Sequence, residues 1–66
     1  MKVGDLVAYV LDPDQIYLIV DGERMPNEKG DPIGYATIFR PGTGKMFRRM
    51  RYTILEANYR VVSEGG

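Results

Sequence analysis

Cysteine, histidine and tryptophan are absent from this 66-residue chain, and each absence removes a class of chemistry. Without cysteine there is no disulfide framework, no thiol nucleophile and no thiolate ligand. Without histidine the commonest metal ligand and the usual general base are missing as well. No metal or cofactor is therefore expected. Long apolar runs are also lacking: none approaches the ~20 residues that a membrane helix requires, so no membrane partner is expected. The opening Met1-Lys2-Val3-Gly4-Asp5 turns polar at once, which is unlike a signal segment.

A chain this short buries only about 60% of the surface that its unfolded form exposes, so most apolar side chains are needed for the core. Little is left to shape a pocket, and the expectation is a protein that is not an enzyme and takes no small-molecule substrate. Nine basic residues balance nine acidic ones, but unevenly along the chain. Residues 1–33 hold seven acids against Lys2, Arg24 and Lys29, a net −4; residues 34–60 hold six bases against Glu56, a net +5. Pairing between strands of opposite sign is the expected use of that asymmetry, a basic patch the second.

Period-two alternation dominates and helical spacing never outlasts a turn, so the fold class is all-β. A first strand is expected over 3–10, with Val3, Asp5, Val7 and Tyr9 on one face, ended by a turn at Asp12-Pro13-Asp14. A short buried strand, Ile16 to Val20, follows and leaves through Asp21-Gly22. Residues 22–33, with Pro26 and Pro32 as breakers, read as a long exposed loop. Two further strands, 34–40 and 45–52, are joined by the hairpin turn Pro41-Gly42-Thr43-Gly44. Thr53 to Asn58 reads as a single helical turn, and Tyr59 to Ser63 as a closing strand. One domain over 1–63 and a frayed tail over 64–66 complete the expectation.

Few motifs carry chemistry. Pro41-Gly42-Thr43-Gly44-Lys45 lacks the spacing of a phosphate loop, with Phe39 and Met46 where glycine and a hydroxyl residue would stand. Asp12, Asp14, Asp21 and Glu23 match no calcium loop and read as turn residues. The sharpest signal is Lys45-Met46-Phe47-Arg48-Arg49-Met50-Arg51-Tyr52. Regular alternation puts Phe47, Arg49 and Arg51 on one face; Met46, Arg48, Met50 and Tyr52 share the other, which can face inward only if a bulge or the barrel rim disposes of Arg48. An aromatic ring beside two guanidinium groups reads first as ordinary strand design, with the arginines keeping an edge soluble and pairing with acids while Phe47 covers the barrel end; it also suits a protein-docking face or a nucleic-acid surface. Five tyrosines suit boundary positions, but the missing tryptophan argues against a proline-peptide groove.

The phrases Lys2-Val3-Gly4-Asp5-Leu6-Val7 and Ile54-Leu55-Glu56-Ala57-Asn58-Tyr59-Arg60-Val61-Val62-Ser63, together with the strand order, resemble the small Src-homology-3-like barrels encoded by tailed bacteriophages. That resemblance implies a five-stranded barrel with a single-turn helix before its last strand. It further implies a structural or adaptor module of the host-cell cytoplasm or the virion. Gly4-Asp5-Leu6-Val7 also resembles the start of a short barrel motif in some ribosomal and transcription-elongation proteins. The expected function is a non-catalytic binding or assembly module that contacts a partner protein or a second copy through Arg24, Met25, Pro26, Asn27, Phe47, Arg49 and Arg51. The alternative is a nucleic-acid-binding barrel using Arg40, Lys45, Arg48, Arg49 and Arg51.

Overall fold

A computed structural model of the chain describes residues 1–23, 25–26 and 32–65. The elements are β1 (Leu6–Tyr9), β2 (Asp12–Gly22), β3 (Met25–Pro26), β4 (Pro32–Ile33), β5 (Tyr35–Arg40), β6 (Lys45–Arg51), α1 (Tyr52–Asn58) and β7 (Tyr59–Ser63). Five of the strands form one antiparallel sheet in the order β6-β5-β2-β1-β7, a meander whose last strand returns beside the first. The all-β class, the five strands and the short helix before the last of them are as expected, and β6 and β7 are the edges of the sheet.

Cross-strand partners share a face, so the register identifies the core side. Val7 lies opposite Tyr17, Ile19 opposite Ile38, and Ile38 opposite Phe47. Val7, Tyr17, Ile19, Ala36, Ile38, Tyr52 and Leu55 make the buried cluster, with Met1, Phe47, Met50 and Tyr59 packed against it. The helix contributes Tyr52 and Leu55, three apart on one face. At seven residues it is too short to stand alone, and burial of those two side chains holds it. It is nearly two turns long rather than one, and its end is tied to the sheet by the Val10 amide, which donates to the Asn58 carbonyl at 2.9 Å.

Three expectations change. The chain reverses at Val10-Leu11, not at Asp12-Pro13-Asp14, which already belong to β2. Tyr9 pairs with Asp12 but Ala8 with Ile16, so Pro13, Asp14 and Gln15 form a wide bulge. The Asp12 carboxylate organises it, accepting from the Asp14 amide at 3.3 Å and from Gln15 Nε2 at 3.0 Å. The turn chemistry is real, but it bends a strand instead of ending one. The 22–33 segment carries a small ladder of its own, Met25 opposite Ile33 and Pro26 opposite Pro32. At its entry Gly22 crosses β5 so closely that a Cβ would stand 2.8 Å from Ala36 Cα, a space only glycine fits.

The third change concerns both chain ends. The first strand starts at Leu6, and Asp5 is a buried carboxylate, 2% exposed, rather than a strand residue. It accepts hydrogen bonds from the Lys2 amide at 3.0 Å and the Gly65 amide at 3.1 Å, and Lys2 Nζ lies 3.3 Å away. Gly65 is thus held where a frayed tail is expected, while Gly66 lies outside the described residues. A side chain at Gly65 would overlap the Gly4 carbonyl. The Gly65 amide, with the amide and ammonium of Lys2, holds the Asp5 carboxyl below its ordinary pKa against the opposing effect of burial.

A carboxylate with a lowered folded pKa contributes stability that is complete above the ordinary carboxylate range and is lost as pH falls through the folded value. Asp5→Asn is expected to lower the melting temperature at neutral pH and to flatten the acid limb of stability below about pH 4. Thermal melts over a pH series check this; coincident acid limbs in both proteins would show that the carboxylate charge carries no stability.

Candidate interaction surfaces

The basic strand β6 is interrupted where its charge is densest. Phe47 pairs with Ile38 and Met50 with Ala36, so Arg48 and Arg49 together oppose Thr37 alone, and Arg49 takes the left-handed φ of 60°. This bulge resets the alternation, so Phe47 and Met50, three residues apart, both reach the core side. The two arginines of the bulge are both left exposed. The expected common face of Phe47 with Arg49 and Arg51 is therefore not formed.

Nor do opposite charges pair across the strands. The neighbour β5 contains no carboxylate, and the ion pair Lys2–Asp5 lies at the chain's start, outside the strands. Between Gly34 and Leu55 stand five cations and no acid. Three of those cations lie over aromatic rings: Arg40 Cζ is 5.9 Å from the Tyr17 centroid, Lys45 Nζ 5.4 Å from Phe47, and Arg49 Cζ 5.2 Å from Tyr35.

The five-cation set divides between the two ends of β6. Arg40 and Lys45 flank an aromatic cluster that closes one end of the sheet: Tyr9 to Tyr59 at 5.3 Å, Tyr17 to Tyr59 at 5.6 Å edge-on, and Tyr17 to Phe47 at 5.8 Å. Such pairs are worth about 0.5–1.5 kcal/mol each beyond their area. The Tyr17 hydroxyl donates to Gln15 Oε1 at 3.1 Å. Burial, with Tyr17 and Tyr9 nearby, pushes the Tyr59 phenol above its ordinary pKa. Arg51 sits at the far end of β6, beside a groove of ≈ 380 Å³ lined also by Ile33, Gly34, Tyr35 and Thr53. Of the expected loop residues, Met25 and Pro26 form β3, whereas Arg24 and Asn27 lie outside the described residues.

Sequence reading missed a further surface. Leu6 pairs with Leu18, Leu18 with Phe39, and Phe39 with Met46, so four large apolar residues form an unbroken row across four strands. The row lies on the face opposite the core, because each member alternates with a core-side neighbour: Val7, Tyr17, Ile38 or Phe47. Leu6, Leu18 and Phe39 are half-buried against one another, Met46 is 44% exposed, and Ile16 beside them is 41% exposed. Ala8, paired with Ile16, is buried but outside the core cluster. A groove of ≈ 410 Å³ runs alongside, lined by Leu6, Asp14, Ile16, Arg40, Pro41 and Thr43. The signal was available: Leu6, Ile16, Leu18, Phe39 and Met46 are all apolar at positions where a half-exposed sheet calls for polar residues.

No protein-family model, curated protein or solved structure matches the chain. Among the described residues, no helix is long and apolar enough to cross a membrane.

The bulge makes a local prediction. Arg49→Gly removes the left-handed strain and the ring contact together and should leave stability within about 1 kcal/mol of the parent. Arg49→Val, β-branched in a left-handed position, should cost about 1–2 kcal/mol. Urea unfolding of the two variants checks the contrast, and equal stabilities would show that the bulge does not constrain position 49.

Proposed function

We propose that the chain is a non-catalytic binding or assembly module of the kind its resemblance to phage-encoded Src-homology-3-like barrels implies, working through contact with protein. The observation that carries this reading is the apolar row Leu6–Leu18–Phe39–Met46 on the face away from the core. A small single sheet gains nothing from a second apolar face unless something covers it, and contiguous exposed apolar patches mark docking sites. Met46 and Phe39 are also residue types that interfaces enrich. The test is capture from producing cells with the parent chain and with Ile16→Glu/Met46→Glu as baits. A partner retained at high salt by the parent and lost by the variant is expected; equal capture by both baits would move the docking face elsewhere.

A nucleic-acid module is the second reading, favoured by the five cations and absent carboxylates of the β5–β6 region and by the rings of Tyr35 and Phe47 beside them. Phosphate-driven binding falls steeply with salt, whereas apolar docking persists. Under the docking reading, labelled single- and double-stranded DNA and RNA should show no saturable change in fluorescence anisotropy at low salt. Saturable binding that weakens with salt and disappears in Arg49→Glu/Arg51→Glu would reverse the order of the two readings.

A further inference from the structure

We infer that the occupant of the apolar row is a second copy of this chain, related by a two-fold axis; the inference rests on the docking reading above and names its partner. A two-fold interface brings one patch against itself, so the patch must be self-complementary in shape and charge. The row meets that condition. Its centre is aliphatic and aromatic; one flank carries the exposed Asp14 on β2 together with Arg40, whose guanidinium lies over the core-side Tyr17 ring, and the other carries the exposed Arg48 in the β6 bulge. A two-fold axis passing between these flanks sets each Asp14 against an Arg48 of the second copy, twice. The zero net charge of the chain leaves no overall repulsion between copies.

Other occupants fit less well. A nucleic acid lying along the row would meet the exposed Asp14 beside its groove, where the lining cation Arg40 is already drawn to the Tyr17 ring, 5.9 Å from its centroid. Pairing of two β6 edges, one alternative route to a dimer, would set Lys45, Arg48, Arg49 and Arg51 against their own copies and is opposed by charge, and pairing of two β7 edges would leave the row uncovered. Face-to-face packing of two sheets is the remaining way to cover the row, and it adds a second apolar layer to a chain whose size and lack of disulfides leave its core thin.

Sedimentation equilibrium over a micromolar-to-millimolar series, on the full chain, tests the inference. The expected result is a reversible dimer of twice the 7.5 kDa chain mass, retained at high salt. Ile16→Glu/Met46→Glu, at two exposed sites, should raise the dimer dissociation constant by about 30-fold or more while leaving the monomer fold and its near-ultraviolet tyrosine signal intact. Asp14→Arg alone should weaken the dimer, and adding Arg48→Asp should restore it. Should the double glutamate variant fail to fold, amide resonances of the parent chain on dilution give the same information: shifts at Leu6, Ile16, Leu18, Phe39 and Met46 support the interface, and shifts confined to β6 or β7 overturn it.

A chain that is monomeric at every concentration overturns the second-copy assignment. If that monomer still captures another protein through Ile16 and Met46, the docking reading stands. A dimer indifferent to Ile16, Met46 and the charge exchange overturns both.

Discussion

The Asp5 carboxylate is the point on which the two chain ends and the centre of the sheet converge. Its side chain takes the amides of Lys2 and Gly65. Its carbonyl takes the Ile19 amide at 3.0 Å, while the neighbouring Gly4 amide reaches the Ile19 carbonyl at 2.8 Å. A buried carboxylate is costly unless its lone pairs are filled, and here the Lys2 and Gly65 amides and the Lys2 ammonium fill them. It holds β7 beside β1 at the end remote from the tyrosine cluster, and the pairing Leu6 with Ser63 places the last strand residue directly next to this clamp. Beyond the clamp, β7 is held to β1 by its own ladder, from Leu6 with Ser63 to Tyr9 with Tyr59.

Bulges then decide what each face of the sheet presents. Regular alternation could not send both Phe47 and Met50 inward; the extra residue at Arg48–Arg49 does. A shift at Val20 in β2 and another at Val62 in β7 bend the sheet in the same way, turning a flat ladder toward a barrel around Tyr17, Ile19 and Ile38. The core side gathers Val7, Tyr17, Ile19, Ile38, Tyr52 and Leu55 into one cluster, and the opposite side is left with Leu6, Leu18, Phe39 and Met46, which shield one another only in part.

The strand order, the hairpin at Pro41–Gly44, the helix before the last strand and the bounds of β7 were legible in the sequence, since they follow from period-two patterning and turn residues that act locally. What was not legible depends on register. Asp12-Pro13-Asp14 carries the same turn chemistry whether it ends a strand or bulges one, and only the pairing of Tyr9 with Asp12 distinguishes the two. The separation of Phe47 from Arg49 and Arg51 depends likewise on one extra residue opposite Thr37. Asp5 was hidden by its place in an alternating run, because its partner Gly65 lies sixty residues away. The basic stretch was rightly the sharpest signal, yet its cations divide between two ends of one strand and stack on rings instead of meeting acids.

Charge on the β6 edge and apolarity on the convex face are two halves of one arrangement. An open sheet exposes unpaired backbone at its edges, and β6 is long enough at seven residues to recruit another strand. Four cations and a bulge along it make such pairing unfavourable with any copy of the same edge. The row on the convex face carries no such protection: Met46, on the very strand whose edge is guarded, points its side chain outward without a charged neighbour across the ladder, where Phe39 stands. Association is thereby discouraged through hydrogen bonds along the β6 edge and left open through the face. In that geometry a contact can be reversible and specific without extending into a fibre, because the sheet has two faces and one of them is already closed over the core.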